Sequence, residues 1–284
     1  MNERIAQARA RLAAIEHAER NDPRLEPRYL TRAWIPDEPA AVAVLLLHGI
    51  TNCPVQYDVL APQLAARGHA VVVPRMPYHG YRDRMTTEIA ALTAEDLEAA
   101  ALRGLAIAAL AGERVVALGI SVGATQAGWL AARTTLDTAI AIAPFCGLKE
   151  LYGGMNDAFG AALRTAPNRF LWWDPRLKTR QPPHHGYPRF STHALGQALK
   201  ISTDLGPVAG VHGRRVILTL NDNEPIVNNA FAARRFAELG AGGVAIETVT
   251  LHGLPKIHDI IEPVIPQART DLVYPRLIEL IESR

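Results

Sequence analysis

The chain is short of several features that often announce a function. Only four of its 30 basic side chains are lysine (Lys149, Lys178, Lys200 and Lys256). The arginines are scattered, and 28 acidic residues leave a net charge of +2. A surface that tracks phosphates needs concentrated positive charge, so nucleic acid is not an expected partner. Cysteine is rarer still: Cys53 and Cys146 stand far apart, in neither a disulfide framework nor a metal-ligand spacing. That favours a reducing, cytoplasmic setting and points to no metal. The longest apolar run, Ala40 to Leu47, falls far short of the roughly 20 residues that cross a bilayer. The first residues lack the apolar core of a secretion signal, so neither export nor stable membrane insertion is expected. No internal repeat is visible, which sets solenoids and propellers aside.

What is present is ample apolar material. With 284 residues and 49% hydrophobic content, disorder is excluded and one large domain is expected, or one domain carrying an inserted subdomain. Residues 2–20 read as a polar helix with Ile5, Leu12 and Ile15 on one side, laid on the body of the domain. After Asp22-Pro23, short apolar runs alternate with helical segments. The runs are Val42–Leu47, Ala70–Val73, Val115–Leu118, Thr138–Ile142, Val216–Leu220 and Ala245–Val249. The helical segments are Val59–Arg67, Ala94–Leu110, Val122–Arg133, Val227–Leu239 and Asp271–Ile281, and Thr93 with Asp96 resembles a capping box at the start of the second. Nearly continuous apolar strands are buried on both faces, and with alternating helices they indicate a mostly parallel, doubly wound α/β sheet. Residues 147–212 break this rhythm. They hold Trp172, Trp173, Pro182, Pro183, His184, His185 and Pro188 without a clear strand, and read as an inserted, mostly helical cap.

The strongest chemical signal is Gly119-Ile120-Ser121-Val122-Gly123. A G-x-S-x-G string arises by chance in about one chain in ten of this length, taking glycine at about 7%. Its context raises it: a strand candidate ends immediately before and a helix candidate begins immediately after. That strand–turn–helix setting lifts a serine hydroxyl above a sheet edge, beside the free N–H groups of a helix N-terminus. A second strand ends in Leu47-His48-Gly49-Ile50-Thr51, a turn able to aim the Ile50 N–H at the same place. The N–H groups of Ile50 and Val122 are therefore the candidate oxyanion hole. His48 ends a buried strand ahead of the nucleophile, and its expected role is to hold the turn.

These motifs, with Leu64-Ala-Ala-Arg-Gly68-His-Ala-Val and Pro77-Tyr78-His79-Gly80, resemble the α/β-hydrolase superfamily. The nearest branch is the monoglyceride-lipase, lysophospholipase and small carboxylesterase group. The resemblance covers roughly 40–145 and 213–282. It implies an α/β-hydrolase fold, with residues 1–28 as a helical extension, 29–146 and 213–284 as the core, and 147–212 as the cap. In that branch the loop matching Pro77–Gly80 usually has Gly where this chain has Tyr78. The resemblance also implies the order serine, acid, histidine, with Ile50 supplying an oxyanion N–H. Its register places the acid at Glu224, in Glu224-Pro225-Ile226-Val227; Asp222 is the alternative, two residues earlier and of the commoner type. His258 lies in the loop where the family's histidine belongs, while His252 directly follows the last strand.

The expected activity is hydrolysis of small-molecule carboxylic esters through Ser121, His258 and Glu224, by way of an acyl-enzyme and without metal or organic cofactor. Thioesterase, amidase or aminopeptidase, and perhydrolase chemistry run on the same triad. A non-catalytic binding protein is the reading from another class, and an intact triad argues against it. Phe170, Trp172 and Trp173 either line an acyl pocket or pack the cap onto the body. His184 and His185 are expected in a solvated cap loop rather than on a metal, and Cys53 in the core or at its rim. The sequence leaves homodimerisation open.

Overall fold

Eight residues from Ala40 to Leu47 form a strand in which all but Ala41 are buried. Such a segment must be covered on both faces, and the topology of the whole chain follows from that need. The computed structural model describes residues 2–152, 154–176, 184–206, 213–265 and 267–283. Pro182, Pro183 and the end of the expected cap, 207–212, lie outside them.

The strands are β1 (Arg32–Trp34), β2 (Ala40–Leu47), β3 (Ala70–Val73), β4 (Gly112–Ile120), β5 (Thr138–Ile142), β6 (Phe170–Trp172), β7 (Arg189–Ser191), β8 (Arg215–Asn221) and β9 (Ala245–Leu251). The helices are α1 (Glu3–Arg20), α2 (Leu60–Ala66), α3 (Ala94–Ala111), α4 (Val122–Arg133), α5 (Met155–Thr165), α6 (Thr192–Thr203), α7 (Asn229–Gly240) and α8 (Thr270–Glu282). Seven strands make one sheet in the order β1-β3-β2-β4-β5-β8-β9. Every neighbour in it is parallel except β1, which pairs antiparallel with β3. From β2 the chain crosses outward to β3, whereas from β4 it crosses the other way to β5. The adjacent ends of β2 and β4 are therefore the topological switch point, where open α/β sheets form their crevice.

All six apolar runs are strands of this sheet. The edge strand β1 carries no legible pattern, because three residues are too few to show a period. The capping box at α3 forms as expected: Asp96 N donates to Thr93 Oγ1 at 3.1 Å, and Thr93 N donates to Asp96 Oδ2 at 3.1 Å. Helix α1 lies on α3, with Ile5 and Ala8 fully buried and Leu12 and Ile15 packed at the margin of the core. Its far end is fixed by buried Glu19, which accepts from Thr31 N (2.7 Å), Thr31 Oγ1 (2.9 Å) and Arg75 Nε (3.1 Å).

The connection between β5 and β8 holds α5 and α6, which pack on each other, and the antiparallel pair β6–β7. The sequence shows no clear strand there; each is three residues long, and they find each other across 16 intervening positions. Among the described residues, no helix is long and apolar enough to cross a membrane.

Candidate active site

Ser121 follows β4 directly, with φ 57° and ψ −119°. A non-glycine residue persists there only when its surroundings over-determine it. Here they do: Ser121 N donates to Ile142 O at 3.0 Å, and Ser121 O accepts from Phe145 N and Thr125 N, both at 3.1 Å. The two glycines of the motif serve clearance. A Cβ on Gly119 would lie 2.1 Å from Gly123 O, and one on Gly123 would lie 2.0 Å from Leu47 O. Strand β4, helix α4 and the end of β2 are thus in backbone contact, which brings the His48–Thr51 turn against Ser121.

That turn is held from several sides. Met76 N donates to His48 Nε2 at 3.1 Å, so Nδ1 carries the proton and donates to Gly49 O at 2.9 Å. Burial holds His48 well below its usual range, so it stays neutral, in the structural role read from its position. Gly49 N donates to Gln56 Oε1 at 2.9 Å, and Tyr57 Oη donates to Leu47 O at 2.9 Å. Within the described residues the Ile50 N–H has no acceptor. Val122 is the first residue of α4, where an N–H has no intrahelical partner. Cys53, just beyond, is fully buried; burial pushes its thiol up to about 12, and it stays protonated as a core residue.

The two candidate acids each have a histidine. Asp222 meets His252, Oδ2 to Nδ1 at 3.0 Å, in an exposed pair. Glu224 is buried, and its Oε1 accepts from His258 Nδ1 (2.9 Å), Ile226 N (2.8 Å) and Val227 N (3.2 Å). Its Oε2 is buried with no protein partner among the described residues. The carboxyl's burial alone favours protonation. The charge and hydrogen bond of His258, with the two backbone N–H groups, outweigh it and hold Glu224 below the usual range. Burial likewise disfavours the imidazolium of His258. The Glu224 charge, its hydrogen bond and nearby Asp259 outweigh that and raise His258 above 6.5. The loops bearing acid and histidine are tied together by Asn221, whose Nδ2 donates to Ile257 O at 3.1 Å.

Ser121, His258 and Ile50 line one cavity of about 380 Å³. The rest of its described wall is mostly apolar and includes Phe145, Phe159, Leu171, Trp173, Tyr187 and Phe190; among the described residues no Lys or Arg lines it. Of the three aromatics proposed for this wall, Trp173 belongs to it and Phe170 and Trp172 do not. The reason is the strand: alternation along β6 sends Leu171 and Trp173 one way and Phe170 and Trp172 the other. Phe170 instead packs beneath the Arg189 guanidinium, 4.4 Å from its ring centre.

A model of the alpha/beta hydrolase family matches residues 44–277. The chain belongs to that family. This hydrolase is similar in structure to metagenome-derived lipolytic enzymes described as LipS and LipT (18% identity, 92% of this chain and 100% of that chain, TM-score 0.68). It is also similar to a monoacylglycerol lipase from Paleococcus ferrophilus (18%, 88% and 98%, TM-score 0.60). A third neighbour is a soluble variant of monoglyceride lipase from Saccharomyces cerevisiae (13%, 89% and 90%, TM-score 0.61). At these identities the likeness is one of fold. Comparison with curated protein sequences finds no match.

One expectation for this hydrolase is overturned. His184 is exposed, as a solvated loop requires, but His185 is buried with its Nε2 3.1 Å from Oε2 of the fully buried Glu262. The pair fastens the β5–β8 connection beside the loop of His258. Gln56 was also illegible: its Nε2 donates to Asp259 Oδ2 at 2.6 Å, joining the Gly49 turn to the neighbour of His258 across 203 positions.

Proposed function

We propose that this hydrolase cleaves uncharged carboxylic esters through Ser121, His258 and Glu224. One observation carries the reading: a serine on a strained strand-to-helix turn shares an apolar cavity with a histidine whose other nitrogen faces a buried carboxylate. With Nδ1–H donated to Glu224, His258 Nε2 is free to take the Ser121 proton as the hydroxyl attacks the ester carbonyl. The N–H groups of Ile50 and Val122 donate to the oxyanion, a contribution of about 3–4 kcal/mol per donor in comparable sites. His258 then protonates the departing alcohol and activates the water that releases the acid. Among the described residues no Lys or Arg lines the cavity, which favours neutral substrates, as do structural neighbours that are monoacylglycerol lipases or lipolytic enzymes. Two buried, unpaired cysteines support a cytoplasmic setting.

A fluorophosphonate probe tests this directly. The wild-type protein should be labelled once, with the adduct on the peptide containing Ser121, and should turn over p-nitrophenyl esters faster than matching anilides. No adduct, or an adduct elsewhere, refutes the proposal.

The pH profile follows from His258. The base must be deprotonated to work, and its pKa is raised, so kcat/KM should fall with acid through a midpoint above 6.5. Since the Asp259 charge contributes to that rise, Asp259→Asn should move the midpoint to lower pH. A profile flat down to pH 5.5, or a midpoint that Asp259→Asn raises, would contradict the assignment.

A further inference from the structure

Thr51, the residue after Ile50, has φ 67°. A β-branched side chain is a genuine outlier there, and nothing in its own chemistry favours that conformation. Its partners account for it. Thr51 N donates to His79 Nε2 at 3.2 Å; His79 Nδ1 donates to Pro77 O at 2.8 Å, and burial keeps the ring neutral by holding it down to about 4. The other two partners come from the β5–β8 connection: Tyr187 N donates to Thr51 O at 2.7 Å, and Trp173 Nε1 donates to Thr51 Oγ1 at 3.0 Å. Tyr187 does more. Its ring stacks on His79 (15° between planes), and its hydroxyl donates to the carbonyl of Tyr78, a second non-glycine residue in the left-handed region at φ 62°. Two strained turns of the body are thus gripped by one segment of the connection.

On the reading of Ile50 as an oxyanion donor, we infer that Thr51 is a positioning residue, locked by Trp173 and Tyr187 so that the Ile50 N–H faces the reacting carbonyl. The peptide planes on either side of a residue turn with its φ and ψ, so releasing Thr51 to an extended or right-handed conformation re-aims the turn that carries that N–H. The β5–β8 connection then does more than shape the pocket: it completes the oxyanion site of the body.

The double-mutant cycle between Trp173 and Thr51 tests this. Trp173→Phe keeps a ring against Phe190 but removes the donor; Thr51→Val keeps the shape but removes the acceptor. Each should lower kcat on p-nitrophenyl butyrate about tenfold with KM within twofold, since the lost contact acts on the transition state. The double variant should lose no more than either single, and Thr51→Ser, which keeps Oγ, should retain kcat within twofold. If Thr51→Val does not fold, Trp173→Phe against Thr51→Ser carries the test. An unchanged kcat, a loss confined to KM, or losses that multiply in the double variant overturns the inference while leaving the hydrolase reading in place. A wild-type protein that neither hydrolyses the ester nor takes the fluorophosphonate overturns both.

Discussion

Glu224→Gln should lower kcat by about 10³-fold or more, while Asp222→Asn leaves it within twofold. The two carboxylates are only two residues apart, yet their surroundings predict opposite outcomes. Asp222 is exposed and faces His252, whose side chain is 76% exposed, so the pair is an ordinary solvated contact worth little. Glu224 is buried, and a single oxygen, Oε1, serves His258 and two backbone N–H groups. Those three donors dictate how glutamine would sit. Its carbonyl oxygen must replace Oε1, which keeps the imidazole oriented, and its NH₂ must take the place of Oε2, which has no acceptor among the described residues. Orientation therefore survives and charge does not. The imidazolium that forms as Ser121 attacks loses its counter-charge, and the His258 basicity that Glu224 sustains falls with it. The residual activity should show its acid limb at lower pH than the wild type. A stability loss of about 1–3 kcal/mol should accompany it, from the buried amide N–H groups left without partners. Equal losses in the two variants, or a dead Asp222→Asn, would reassign the acid.

The sheet and the strand-borne candidate site residues were legible in the sequence because burial on two sides writes itself as continuous apolar runs. Ser121, Ile50 and Val122 sit at the ends of such runs, where motif and strand boundary coincide. Glu224 and His258 lie in loops, and register alone favoured them; the geometry that pairs each acid with its own histidine is not written in the local sequence. Contacts from the β5–β8 connection were the least legible. Its strands are three residues long, so the alternation that separates Trp173 from Phe170 and Trp172 has no visible period. His185 beside Pro182-Pro183 has the composition of a solvated loop, and the carboxylate that buries it lies 77 residues further on.

Those illegible contacts share a pattern. The start of the connection is laced to the acid loop: Lys149 N donates to Ile226 O at 2.9 Å, Asn228 N to Gly147 O at 3.0 Å, and Lys149 Nζ to the Glu224 carbonyl. Its middle grips Thr51 through Trp173 and Tyr187, and His185 fastens it to Glu262, four residues past His258. Each of the three loops that carry the candidate machinery is therefore braced by the same segment. Such bracing suits a rigid wall over the site better than a lid that swings clear, because opening would break hydrogen bonds at every loop at once.

Gly123→Ala is the substitution expected to damage the fold most for the fewest atoms. Gly123 has no positive φ to protect, so the cost is one of space. Its added Cβ would meet Leu47 O at 2.0 Å, Leu47 C at 2.5 Å and His48 O at 2.7 Å, all of them backbone. A flexible side chain can turn away from an intruding methyl; the end of β2 cannot, since β2 is held by β3 on one side and β4 on the other. Overpacking of this kind costs about 1–3 kcal/mol against movable side chains and more against fixed backbone, so a loss of about 3 kcal/mol or greater is expected in urea unfolding. The displaced atoms also lead directly into Gly49 and Ile50. A shift of about 1 Å there should cost about 10²-fold in kcat/KM even in the fraction that folds. Gly68→Ala is the matching control. Gly68 has φ +88° with nothing within 4 Å of the added carbon, and it lies far from Ser121 in the turn after α2. It should lose about 1 kcal/mol to backbone strain and no activity. If Gly123→Ala instead unfolds within 1 kcal/mol of the wild type and hydrolyses esters at its rate, then β2 and α4 are not packed backbone to backbone, and the placement of Ile50 beside Ser121 fails with that contact.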